Sequence, residues 1–334
     1  MNAKHITNLT IENFRGFDEV KLSGLQAVNL IVGENNAGKT SFLEALAAVA
    51  SPHAFQQLPG LFRATESHSN PRFFRWMLRD APGVVEGFIE ATGPELGNRI
   101  SFYPKMPPDP AQGARVQDSA RLQAFASRTS KEMRFCAVSV HHGTPDSLVK
   151  SFGGAVRPSS GEEIMHEVLR SVDSRIKRIR VDPTEHGNII AVDMGLSESI
   201  PLSQAGQGIF RLVAILSVLL GMKPQLCVID EIENGIHYTA LPRMWRGLAK
   251  VSELLGIQIF ATTHSKECLE AAHRVFCVED PDKVRDFAVI QIMRVKERIM
   301  ARVLDEEHVD AAVEIDIEPE LPDFSDTRTS RFSF

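Results

Sequence analysis

Apolar and polar positions alternate over ITNLTIENF, residues 6–14, and again over EVKL, residues 19–22, a period of two that predicts strands. AVNLIV, residues 27–32, is a compact apolar strand that ends at Gly33. Past Lys39 the period lengthens. Phe42, Leu46 and Val49 fall at i, i+4 and i+7, Leu43 widens the stripe, and the predicted helix ends at Pro52.

Between about 51 and 160 the pattern loosens. SPHAFQQLPG, SHSNPRF and YPKMPPDPAQGAR carry proline and glycine between the strand-like runs GVVEGFIEA, NRISFY and RFCAVSV, so this stretch reads as an inserted or elaborated subdomain. A helix near 160–173 and the alternating RIKRIRV follow. Regularity then returns. Ile209, Leu212, Val213, Leu216 and Leu220 line one face of a helix over 208–220, GMKP stops it, and QLCVID is a buried strand. A helix over 239–255 carries Leu241, Met244, Trp245, Leu248 and Val251, and the strand IQIFAT follows Gly256. Strands separated by helices predict a helix-covered, mostly parallel sheet. The expected division is 1–50, 51–160 and 161–300, with 301–334 an acidic helix and tail.

At 334 residues, 43% hydrophobic and 24% charged, the composition is that of an ordinary globular protein of one or two domains. The net charge of −6 gives no global attraction to nucleic acid, so such contact needs a local basic patch. Apolar runs fall short of the roughly 20 residues that cross a bilayer, and the first residues alternate too early for a secretory signal. The expectation is a cytoplasmic protein with no membrane partner. Cys136, Cys227, Cys268 and Cys277 lack metal-ligand spacing and read as reduced thiols.

Candidate chemistry enters at GENNAGKT, Gly33 to Thr40, which fits the phosphate-loop pattern and stands between a predicted strand and a predicted helix. Its amides would wrap phosphates, Lys39 would neutralise the β and γ groups, and the Thr40 hydroxyl would coordinate Mg²⁺. The partner motif is a buried strand ending in a metal-linked carboxylate. LCVIDE supplies Asp230, and Glu231 next to it suits the orientation of an attacking water. IQIFATTHS ends a further strand at His264, a γ-phosphate sensor if the strands lie side by side. LSQAGQG, residues 202–208, is a glycine-bearing helix start whose amides can hold an anion.

These motifs, in this order, resemble the ABC-type ATPases of the recombination and chromosome-maintenance class, the RecF and SMC relatives, and above all the OLD-like AAA ATPases of bacteria. The stretches that carry the resemblance are IENFRGFDEVKL, NLIVGENNAGKTSFLEAL, IPLSQAGQGIFRLVAIL, LCVIDEIENGIHYTAL and IQIFATTHSKECLEAA. The resemblance implies an α/β P-loop NTPase of ABC-ATPase type, with an N-terminal antiparallel β-subdomain and an inserted helical or irregular region. It adds Asn35, Asn36, Ala37, Gly38, Ser41 and Arg15 to the residues expected around ATP. It also implies that Ser203, Gly206 and Gly208 reach across a head-to-tail homodimer to the γ-phosphate of the other subunit, although the family form is commonly LSGGQ. ENGIH, Glu233 to His237, resembles the loop that couples the two sites. Gln56 and Gln57 lack the context of the family's glutamine loop.

The function so implied is an ATP-hydrolysing dimerisation switch that controls a nucleic-acid-processing or effector partner, such as a nuclease, in DNA repair or anti-phage defence. Two alternatives are a nucleotide-binding subunit of a membrane transporter and an ATPase with nuclease activity of its own. About 70 residues follow His264, too few for an added toprim domain. Guanine specificity is disfavoured because no NKxD stretch occurs. Arg72, Arg75 and Arg79 with Phe74 and Trp76 interleaved, and Arg175, Lys177, Arg178 and Arg180, could follow a phosphate backbone. The competing reading, which the acidic net charge favours, is an amphipathic helix and an edge strand with solvated charges.

Overall fold

The computed structural model describes residues 4–51, 86–103, 114–118, 123–127, 130–138, 145–185, 187–279, 286–295, 298–305 and 308–310. Gln56, Gln57 and the basic run Arg72 to Arg79 lie outside the described residues, as do residues 311–334. The predicted N-terminal strands form β1 (Asn8–Phe14), β2 (Phe17–Ser23) and β3 (Val28–Val32), followed by α1 (Lys39–Ala50). Next come β4 (Gly87–Gly93), β5 (Leu96–Tyr103), β6 (Ala114–Asp118), β7 (Gln123–Ala126), β8 (Phe135–Val138), α2 (Pro145–Val156) and α3 (Ser159–Val172). A meander of β9 (Arg178–Thr184), β10 (Gly187–Asp193) and β11 (Ile200–Pro201) leads to α4 (Gln207–Met222). The chain ends its described part with β12 (Leu226–Ile229), α5 (Leu241–Leu255), β13 (Gln258–Thr263), α6 (Lys266–His273), β14 (Phe287–Val295) and β15 (Arg298–Leu304).

Twelve of the described strands make one sheet in the order β6-β7-β5-β4-β1-β2-β15-β14-β3-β13-β12-β8. From β14 to β8 every pairing is parallel. On the other side β15 turns back antiparallel to β14, and the ladder from β2 through β1, β4, β5 and β7 to β6 is antiparallel. The expected antiparallel part therefore continues the same sheet. Within 51–160, β4 to β7 extend its antiparallel side and β8 forms its opposite edge. Strands β9 to β11 form a separate three-stranded sheet.

Both faces of the parallel strands are buried, which is why they read as continuous apolar runs. Val28 and Leu30 of β3, Cys227 and Ile229 of β12, and Ile259 and Ala261 of β13 pack beneath α2 to α6. The alternate residues Ile31, Val228 and Phe260 pack on the other face against Phe42, Leu43 and Leu46 of α1. The phosphate-loop helix is thus clamped between the central strands and the antiparallel side. Trp245 of α5 is fully buried and its indole N–H donates to the Cys268 carbonyl at 3.2 Å, tying α5 to α6.

Candidate active site

Strand order decides what can meet. β13 lies between β3 and β12 and is parallel to both, so the segments that follow Val32, Ile229 and Thr263 emerge at one edge of the sheet. They carry GENNAGKT, Asp230–Glu231 and His264. Open α/β sheets bind ligands at the carboxyl ends of their strands.

At the first of these ends the backbone at Gly33 passes so close to β14 that a Cβ there would lie 2.2 Å from the Ile292 carbonyl oxygen. Only glycine fits. The loop turns through Asn36 and Gly38, both with positive φ, and α1 starts at Lys39 with no side-chain cap, leaving its first amides free for an anion. Lys39 is buried and its Nζ donates to the carbonyls of Gly33 at 2.6 Å and Glu34 at 2.8 Å. Burial pushes its ammonium below the usual lysine range, against the opposing pull of Asp230, Glu233, Glu231 and Glu34. Asn35 is exposed, Ala37 is buried in the α1 core, and Thr40 and Ser41 are half-buried on the first turn of α1.

Thr262 organises the second end. Fully buried on β13, its hydroxyl donates to Asp230 Oδ1 at 2.7 Å and accepts the Glu231 main-chain N–H at 2.8 Å. Its carbonyl accepts from Ile232 N–H at 3.0 Å. Glu231 is held at φ 47°, a left-handed conformation that costs a residue with a side chain on the order of 1 kcal/mol. Strain of this kind at the end of a buried strand is tolerated where the surroundings over-determine it, and the Thr262 lacing does so here. Behind the strand end Arg211 of α4, 1% exposed, donates to the Asp230 carbonyl at 2.7 Å and the Glu231 carbonyl at 3.4 Å. Burial lowers the Arg211 guanidinium pKa, opposed by Asp230, Glu233 and Glu231.

His264 follows Thr263 on a half-exposed strand end, with Nδ1 3.2 Å from Glu233 Oε1. Ser265 next to it caps α6 by accepting the Cys268 N–H at 3.1 Å. In LSQAGQG, Ser203 and Gly206 are exposed and Gly206, with φ 103°, precedes the uncapped start of α4. Gly208 packs on the loop after Asp230, where a Cβ would stand 3.0 Å from the Gly235 carbonyl oxygen. A cavity of about 460 Å³ opens between this turn and the 235–240 segment, with Arg175 and His237 in its wall.

Arg15 sits differently. Its guanidinium is 3.0 Å from Glu44, whose side chain is fully buried on α1, so it braces the β1–β2 turn to the phosphate-loop helix. On β9, the edge strand of the small sheet, Arg180 pairs with Asp182, and just before it Arg175 pairs with Asp173. Two of the four cations in that run are thereby matched by neighbouring carboxylates.

Among the described residues no three His, Cys, Asp or Glu side chains are grouped to hold a metal by themselves. The donors beside the loop are a threonine hydroxyl and carboxylates, and Asp230 Oδ1 is already oriented by Thr262. That set fits Mg²⁺, which takes one or two protein oxygens and completes its shell with phosphate oxygens and water.

A phosphate loop opening a helix, a buried strand ending in two carboxylates and an intervening strand together define a P-loop ATPase. The family model described as "AAA ATPase domain" matches residues 5–82, and that described as "AAA domain, putative AbiEii toxin, Type IV TA system" matches residues 140–270. A Helicobacter pylori protein named ATP/GTP phosphatase is 22% identical over 338 residues, covering 82% of this chain and 89% of the relative. The RecF replication and repair protein of Idiomarina loihiensis is 40% identical over 68 residues, about a fifth of either chain (20% and 19%). Among solved structures, the Smc head bound to the C-winged helix domain of ScpA superposes with a TM-score of 0.60 at 11% identity, over 92% of this chain and 99% of that one. The SMC head domain of Thermotoga maritima gives 0.54 at 14% identity, over 91% and 100%. The fold is that of an SMC head. Two AAA ATPase family models match separate stretches of the chain, in line with ATP hydrolysis. Among the described residues no helix is long and apolar enough to cross a membrane.

Proposed function

We propose that the chain binds and hydrolyses ATP with Mg²⁺ in a head-to-tail homodimer whose two sites are shared, and that the dimer's making and breaking controls a partner. The observation that carries this reading is the convergence of Lys39, Asp230, Glu231 and His264 at adjacent strand ends, beside an LSQAGQG turn whose Ser203 and Gly206 are solvent-exposed.

In this reading the loop amides from Gly33 to Ser41 enclose the phosphates, Lys39 leaves the Gly33 and Glu34 carbonyls for the β and γ groups, and Thr40 and Asp230 hold Mg²⁺. When bound, the metal would supply positive charge against the phosphate oxygens. Glu231 orients the attacking water and accepts its proton, and His264 meets the terminal phosphate. Arg15 contributes through Glu44 by fixing α1. Ser203, Gly206 and Gly208 supply the missing donors to the nucleotide on the other subunit, with the nearby cavity giving room for the approach. Glu233 to His237 would link the two sites, because Gly208 and Gly235 are in backbone contact. ATP stabilises the dimer if it touches both subunits only in the closed state, which gives it differential affinity.

The partner belongs to the nucleic-acid-processing or effector class, in repair or anti-phage defence. The RecF similarity and the toxin-system wording of one family model point that way, and an Smc head is known bound to ScpA. The test is complementation. Lys39→Ala and Ser203→Arg should each be inactive alone, while an equal mixture regains on the order of a quarter of the wild-type rate, because half the dimers are mixed and each has one intact site. No recovery on mixing would refute shared sites.

A further inference from the structure

Glu233 lies three residues past Asp230, and nine-tenths of its side chain is buried. Its Oε1 accepts the main-chain N–H of His264 at 3.0 Å and stands 3.2 Å from Nδ1 of the same residue. Its Oε2 is buried without a hydrogen-bond partner among the described residues. A purely structural tie to the His264 main chain would need one acceptor oxygen, which an amide supplies with no charge. A buried carboxylate oxygen with no partner instead carries a desolvation penalty. Retaining the charged group there requires a gain elsewhere.

The imidazole is the place to look for it. Nδ1 stands 3.2 Å from the same oxygen, and because a carboxylate only accepts, a hydrogen bond between them needs the hydrogen on Nδ1. Both contacts fall on one oxygen, which holds the backbone where β13 ends and sets an acceptor beside the ring. Nε2, on the far side of the ring, is then the atom left for a ligand, and donating from it with Nδ1–H still on Glu233 requires the doubly protonated imidazole. A second network holds the neighbouring strand end without Glu233, through the Thr262 bonds to Asp230, Glu231 and Ile232. The Glu233 contact is thus separable from the scaffold that positions the metal-linked carboxylate.

We propose that Glu233 is the positioning residue for His264, holding Nδ1–H so that Nε2 is presented to the terminal phosphate. The proposal rests on the reading of His264 as the phosphate sensor. Steady-state ATP hydrolysis would be measured for Glu233→Ala, Glu233→Gln, His264→Ala and the Glu233→Ala/His264→Ala double variant, with ¹⁵N spectra of the imidazole nitrogens in the full chain. Glu233→Ala should lower kcat about tenfold with KM changed less than about twofold, as for loss of a residue that orients a reacting group. Glu233→Gln, which keeps an acceptor oxygen, should recover part of that loss. In the His264→Ala background the Glu233→Ala change should alter kcat less than about twofold, since the residues act as one unit. Wild-type spectra should show the hydrogen on Nδ1.

Equal losses from Glu233→Ala in both backgrounds, or a wild-type ring protonated on Nε2 alone, would overturn the proposal. Should Glu233→Ala not fold, Glu233→Gln carries the same comparison in both backgrounds. If His264→Ala alone leaves kcat unchanged, it is the sensor reading that fails, and the ring signals then decide Glu233 independently. A Nδ1–H preference lost in the Glu233 variants supports the positioning role, and unchanged signals reject it.

Discussion

Replacing Thr262 by valine removes one hydroxyl from the centre of the site and almost nothing else. Valine keeps the branched shape, so no cavity opens on a strand with 0% exposure at this position. Two hydrogen bonds disappear, the donation to Asp230 Oδ1 at 2.7 Å and the acceptance from Glu231 N–H at 2.8 Å. A bond to a carboxylate contributes about 1.5–3 kcal/mol, and a buried N–H left without a partner costs about 1–3 kcal/mol. Asp230 is 8% exposed and water can replace part of its loss, which brings the expected destabilisation to about 2–4 kcal/mol. Thr262→Ser is the control, because it keeps the hydroxyl and removes one methyl, at about 1 kcal/mol. Urea denaturation with unchanged m-values gives both numbers, and ATP hydrolysis should fall in the valine variant more than in the serine variant. A valine variant as stable as wild type, or more stable than the serine variant, would refute the role given to this hydroxyl.

Arg211→Met should destabilise the fold by about 3 kcal/mol, because it strips the donor from the buried Asp230 carbonyl. A midpoint shift in urea equivalent to less than about 1 kcal/mol would show that the guanidinium is dispensable. Burial pushes the Cys268 thiol up to about 12, and Cys227, beside Cys136, is also raised. Near neutral pH both should remain as thiols and resist iodoacetamide in the native state, while half-buried Cys277 reacts first. Mass spectrometry of the labelled chain reads the order, and early modification of Cys268 would contradict the packing of α6.

Where a motif is one contiguous run, the pattern alone was enough to place it at a strand end. GENNAGKT, LCVIDE and IQIFATTHS each end an apolar strand, and the structure brings those ends together because the helices between them force parallel strands onto one sheet. Helix α4 was expected at 208–220 and forms over Gln207–Met222, the kind of agreement that a strong apolar period gives. Residues whose role depends on distant partners escaped. Arg211 looks like a polar gap in an apolar helix, and only the fold shows it beneath Asp230. Thr262 looks like an unremarkable strand residue until β12 lies beside it. Helix α2 was not singled out: the pair Gly153–Gly154 lowers its helical propensity, which packing against α4 overrides. Strands β14 and β15 were not singled out, although β14 is what forces glycine at position 33. Arg15 was expected at the nucleotide; its pairing with Glu44 of α1, at 3.0 Å, is a contact that no local pattern points to.

The proposed dimer is tested most directly by light scattering of Glu231→Gln with and without ATP and Mg²⁺. This variant keeps the acceptor geometry of the side chain but cannot take a proton from water, so nucleotide should bind and persist. The molar mass should double from that of the 37.0 kDa chain when ATP is added, and adding Ser203→Arg in the same chain should abolish the doubling. A mass that stays at one chain with ATP bound, or that doubles equally with Ser203→Arg present, would contradict shared sites.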